Sequence, residues 1–160
     1  MGLFNFFSSS KKTQRQPQQS EAQLQLDMFD NLSQTQKFAM VAMLASLAAA
    51  PTNDERIAMV QKMMMTDAAM MGITENMFLD YMQTHTKPTH QTVMSTLKTI
   101  TDTMIKEWLI YCGFSICAVN QNEKALYIFF DWWQQLGYKP EDIENIVKRI
   151  EAICNQINNL

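Results

Sequence analysis

The sequence predicts an all-α fold: one helical domain behind a flexible N-terminal arm, built from two copies of a helix–turn–helix unit. Three observations carry that expectation. Glycine and proline are scarce, with 4 of each in 160 residues, which leaves little material for the many turns of a β fold. The 14 methionines favour helices, because Met is a good helix former and a flexible gap filler. The third observation is an internal likeness. Ile116–Val147, ICAVNQNEKALYIFFDWWQQLGYKPEDIENIV, reads as the end of a helix, a polar turn, a helix, a Gly stop and a helix. An earlier copy begins near Ala48 with AAAPTNDERIAMVQKMMMTDAAMMGITENMFLDYM. Glu55 aligns with Glu123 at an offset of 68 and Gly72 with Gly137 at an offset of 65; three extra residues near Thr66–Ala68 make up the difference.

A chain of this length buries a core without disulfide or metal staples. The net charge of −3, with 13 scattered Lys and Arg, argues against a nucleic-acid partner, which would demand a basic face. Cys112, Cys117 and Cys154 form an odd set in apolar runs. They read as unbridged thiols in a reducing compartment, so the expected location is cytoplasmic. The longest apolar runs, Phe38–Ala50 and Trp108–Val119, fall short of the ~18–20 residues of a membrane span. No signal peptide is evident, because the apolar start precedes the charges.

The elements follow in order. Residues 1–20 form the arm: MGLFNFF, then the polar SSSKKTQRQPQQS. Leu3, Phe4, Phe6 and Phe7 ahead of Lys11, Lys12 and Arg15 suit an anionic membrane surface; the alternative is a terminus that docks on the protein or does nothing. Phe6 stands where a myristoylation signal needs Ser or Thr. The helical domain spans 21–160. A short first helix is expected over Glu21–Asn31, with Leu24, Met28 and Leu32 on one face. Ser33 and Gln36 form a capping box for a helix Gln34–Ala50 that is apolar nearly all round and therefore central. Its Ala42, Ala45, Ala48 and Ala49 suit close approach by neighbouring helices.

Pro51 stops that helix, and Thr52 or Asn53 caps the next, Asp54–Met71, which carries Ile57, Val60, Met64, Ala68 and Met71 on one stripe. Gly72 supplies a left-handed stop. Thr74 caps Glu75–Gln83, which buries Phe78, Tyr81 and Met82. After a turn around Pro88, Thr89 caps a helix from His90 to about Ile100. A break near Thr101–Thr103 precedes the helix Thr103–Val119, with Met104, Trp108, Tyr111, Cys112, Ser115 and Val119 toward the core. Gly113 within it calls for a close crossing. Glu123–Leu136 buries Leu126, Phe129, Trp133 and Leu136, with Tyr127, Ile128 and Phe130 on other covered faces. Gly137 ends it, and Pro140 opens the last helix, Pro140–Ile157, packed through Ile143, Ile146, Val147, Ile150 and Cys154.

Candidate sites are few. Asp54 and Glu55 stand at one repeated turn, Asn120 and Glu123 at the other. If the copies pack about a pseudo-twofold axis, these oxygens suit a divalent cation such as Ca²⁺ or Mg²⁺; the alternative is that the acids serve helix ends. His85 and His90 lack the companion ligands of a zinc site. Trp132 and Trp133 are adjacent and cannot face the same way, so one is expected to be partly exposed and is a candidate for a partner groove; the alternative is that both are core. Met63, in the run Met63–Met65, is a candidate for an adaptable contact surface; the alternative is core filling. No phosphate loop, GxSxG elbow or HExxH motif occurs. No cofactor is expected, and the expected reading is non-enzymatic: an interaction module with a protein partner, itself a monomer or homodimer.

The MGLFNFF start, the two Ala-rich turns with a capping Glu (AAAPTNDE and CAVNQNE) and the closing LGYKPEDIENIV resemble the TerB-like domain of tellurite-resistance and related bacterial proteins. That domain also occurs in membrane-associated DnaJ-type co-chaperones. The likeness covers about Leu32–Ile153. It implies a compact bundle of about seven helices in two pseudo-repeated halves, and a part in stress responses at the inner face of the bacterial membrane. Typical members open each repeated turn with an Asp-Gly pair that contributes to an acidic surface associated with metal binding. Here those positions read Pro51-Thr52 and Asn120-Gln121, so only Glu55 and Glu123 carry over.

Overall fold

The computed structural model describes residues 28–49, 53–84 and 88–158. The expected arm (1–20), Leu24, Pro51, Thr52 and His85 lie outside the described residues, as does the side chain of Cys154. Seven helices and no strand occur among the described residues: α1 Gln34–Ala48, α2 Asp54–Met70, α3 Glu75–Thr84, α4 His90–Leu97, α5 Thr103–Asn120, α6 Glu123–Gln135 and α7 Pro140–Asn158. None is long and apolar enough to cross a membrane.

Local chemistry sets the helix ends. Ser33 Oγ accepts from the Gln36 amide at 3.2 Å while Gln36 Oε1 accepts from the Ser33 amide at 2.9 Å, which satisfies two orphan donors reciprocally. Asn53, Thr89, Asp102 and Asn122 cap α2, α4, α5 and α6 with side-chain oxygens. The two Gly stops share one design. Gly72 (φ 75°) donates to Ala69 O and Ile73 to Ala68 O; Gly137 (φ 90°) donates to Gln134 O and Tyr138 to Trp133 O. This paired bonding around a left-handed residue is the Schellman arrangement. α2 runs unbroken through Thr66–Ala68, where the repeat alignment expected three extra residues.

Two helices form the middle. α1 packs against α2, α3, α4, α5 and α6, and α5 against α1, α2, α6 and α7. Burial on many faces follows from their near-continuous apolar sequence: Phe38–Val41, Met43, Leu44 and Leu47 in α1, and Ile105, Trp108–Gly113, Ile116 and Cys117 in α5, are all buried. Gly113 lies where α5 meets Leu47 of α1 and Phe129 of α6; a Cβ there would come within 3.0 Å of Phe129 Cε2 and 3.2 Å of Leu47 Cδ1. The close crossing is thus made by side chains entering the space a Cβ would fill. α7 closes the bundle through Ile143, Ile146, Val147 and Ile150, and Arg149 pairs with Glu107 of α5.

Several expectations need correction. Met104, expected in the core, is 55% exposed because it falls in the first turn of α5, beyond the reach of its neighbours. Leu126 is likewise exposed, and Tyr127, at 74%, is wholly at the surface. The buried stripe of α6 is Ala125, Phe129, Trp132 and Trp133, rotated from the predicted one. Phe29, absent from the predicted core, is fully buried with its ring edge-on to Trp108, centroids 4.9 Å apart.

Candidate functional site

The alanines of α1 were expected to admit a neighbouring helix. Ala42, Ala45 and Ala49, with Ser46, also form one wall of a groove of about 700 Å³. Phe78 and Met82 of α3, Pro88, His90 and Val93 of α4, and Ile128, Asp131 and Trp132 of α6 complete it. Small side chains on α1 make the groove by leaving space between it and the bulkier residues opposite. A concave, mostly apolar site with a few polar groups is the usual form of a ligand or peptide seat.

The polar groups lie together at one edge. Gln135 Nε2 donates to Asp131 Oδ2 at 2.8 Å and lies 3.2 Å from His90 Nε2. The His90 ring stands edge-on to Trp132, centroids 5.0 Å apart, which holds the indole against the groove wall. Ser46 Oγ donates to Met43 O at 2.7 Å within its own helix. The edge can orient a bound group by hydrogen bonds and by the charge of Asp131.

The expected partner anchors separate here. Both tryptophans are buried, Trp132 at 5% and Trp133 at 0% exposure, so neither stands at the surface. α6 is covered on two faces: Trp133 packs with Phe129 and Tyr138 in the core, and His90 covers Trp132. Only Trp132 reaches the groove. Met63 is half-buried against the core and does not line it.

The expected cation ligands stand in unlike surroundings. Asp54, Glu55 and Glu123 are exposed in the first turns of α2 and α6, where acids complement the helix dipole. Asn120 is fully buried, and its Nδ2 donates to the Leu47 carbonyl at 2.8 Å. Among the described residues no three His, Cys, Asp or Glu side chains come together to hold a metal ion. Asn120 instead ties the end of α5 to one of the terminal carbonyls of α1, which have no partner within their own helix.

Sequence reasoning missed one buried acid. Asp67 of α2 is 5% exposed. Burial pushes its carboxyl up from 3.8 to about 7, against the opposing effect of a hydrogen bond with Cys112. The signal was present: Asp67 lies seven residues after Val60 and next to Ala68, inside the apolar stripe. Cys112 and Cys117 are buried thiols outside any disulfide. Burial raises Cys117 to about 12, which keeps it protonated and unreactive. No protein-family model, curated protein or solved structure matches the chain.

Proposed function

We propose that this chain is a non-enzymatic helical interaction module, and that the groove bounded by α1, α3, α4 and α6 is its binding face. The observation that carries the reading is the groove's chemistry: an alanine wall, apolar sides with Trp132 set into one of them, and a single acidic edge. Ala42 to Ala49 covers about 10 Å of helix at ~1.5 Å per residue, or two turns. The occupant that fits is two turns of an amphipathic helix from a partner protein, its apolar face on the alanines and a basic residue opposite Asp131. The TerB-like resemblance supports the same class of role and adds a stress-related, cytoplasmic setting at the inner membrane face.

The test is substitution of Ala45 by Trp, which fills the groove. Proteins retained from native extract by wild type and by Ala45→Trp are compared quantitatively, with the melting temperature confirming that the variant is folded. Loss of a specific protein from the variant is expected; identical sets in identical amounts would contradict the reading. The alternative, a Ca²⁺ or Mg²⁺ sensor using Asp54, Glu55, Asn120 and Glu123, requires the fully buried Asn120 to present its Oδ1 to the ion. A rise in melting temperature with millimolar Ca²⁺, abolished by Glu55→Gln with Glu123→Gln, would favour it.

A further inference from the structure

A second groove, of about 560 Å³, lies between α5, α6 and α7. Phe114 of α5, Phe130 of α6, and Ile143 and Val147 of α7 give it apolar walls. Its rim on α7 carries Glu141, Glu144 and Glu151 together with Lys148. Helical period places these four on one stripe, beside the apolar stripe that faces the bundle. Lys148 bonds Glu144 at 2.5 Å; among the described residues Glu141 and Glu151 have no basic partner. These two acids are about 15 Å apart along the helix, at ~1.5 Å per residue.

Apolar walls beside two uncommitted acids fit a segment with apolar side chains followed by spaced bases. The chain contains one. Leu3, Phe4, Phe6 and Phe7 are followed by Lys11, Lys12 and Arg15. In extended backbone Lys11 and Arg15 stand about 13 Å apart, at ~3.3 Å per residue, close to the spacing of the acids. The described chain begins at Met28, and Phe29 is seated on Trp108 of α5, the helix that supplies Phe114 to the groove. Residues 16–27 between Arg15 and Met28 reach about 40 Å when extended and about 19 Å as a flexible coil.

We propose that residues 3–15 of this chain dock in the groove between α5, α6 and α7, aromatics on Phe114 and Phe130, bases on Glu141 and Glu151. The inference is independent of the partner groove on α1. It sets the protein's own groove in competition with a membrane surface for the same aromatic residues, so the arm is available to a bilayer only when undocked.

Limited trypsin digestion of the full chain, read by mass spectrometry, tests it. Trypsin cuts after Lys11, Lys12 and Arg15, and cleavage of a docked segment proceeds only from its open population. At low salt these bonds should be cut about tenfold more slowly than in a free peptide of residues 1–20, as for a segment docked about nine-tenths of the time. Glu141→Lys with Glu151→Lys, whose side chains are exposed, should restore the peptide's rate with little change in melting temperature. Cleavage at the peptide's rate, with protection only on adding phosphatidylserine vesicles, would overturn the proposal in favour of a membrane-seeking arm. Protection that survives in the double variant would overturn the assignment to this groove.

Discussion

Asn120 and Asp67 are the polar side chains buried among the described residues, and each has a measurable consequence. Asn120 joins α5 to the end of α1 through the Leu47 carbonyl. Truncation leaves a buried carbonyl without its donor, so Asn120→Ala should cost about 1–3 kcal/mol, measured by denaturant unfolding. Asn120→Asp should cost more, since it sets a carboxylate against a carbonyl oxygen at the negative end of a helix. For Asp67 the folded value, about 7, lies above the unfolded 3.8. Between those values the folded state holds a proton that the unfolded state has released. Stability therefore falls as pH rises from about 4 to about 7, by on the order of a few kcal/mol, and is flat above. Asp67→Asn should remove that slope and stabilise the protein at pH 7.5; an unchanged slope would show that Asp67 is not its source.

At the scale of elements, α5 is the test piece. Alanine is favoured over glycine in a helix interior by up to ~1 kcal/mol, yet the Cβ of an alanine at Gly113 would press on Phe129 and Leu47, both fully buried. Phe129 is itself held by Trp133, Phe130 and Phe114. Overpacking costs about 1–3 kcal/mol, so Gly113→Ala should be net destabilising by about 1 kcal/mol; a rise in melting temperature would show that the ring can yield. Gln121, just beyond α5, is the only non-Gly residue among those described with positive φ, at 51°.

Helix ends were legible because capping is a local matter: Ser33 with Gln36, Thr89, and the glycines at 72 and 137 act within a few residues of themselves. Which face meets which neighbour was less legible. Periodicity put Met104 and Leu126 on apolar stripes, but a stripe near a helix end or turned from the bundle finds nothing to cover it. Phe29 is buried by Trp108, 79 positions away in the chain, a contact that no spacing rule reports. The groove was invisible for the same reason. The alanines of α1 were recognised as small, while the gap they leave depends on where α3, α4 and α6 settle.

For the whole molecule, α1 and α5 form a central pair, with α2 and α6 each packed on both of them. The stops at Gly72 and Gly137 share a positive φ and the same paired bonding. Two grooves among the described residues differ in character: the one on α1 is lined by alanine and nearly uncharged, and the one on α7 is aromatic with an acidic rim. The first suits a partner and the second the chain's own basic arm. Site-specific photocrosslinking in the native cell tests the claim of a partner face most directly. A photoreactive side chain at Ala49, on the groove wall, should give a discrete adduct with one protein that Ala45→Trp abolishes, while the same group at exposed Met59 of α2 should not. No adduct from Ala49, or the same adducts from both positions, would contradict the account.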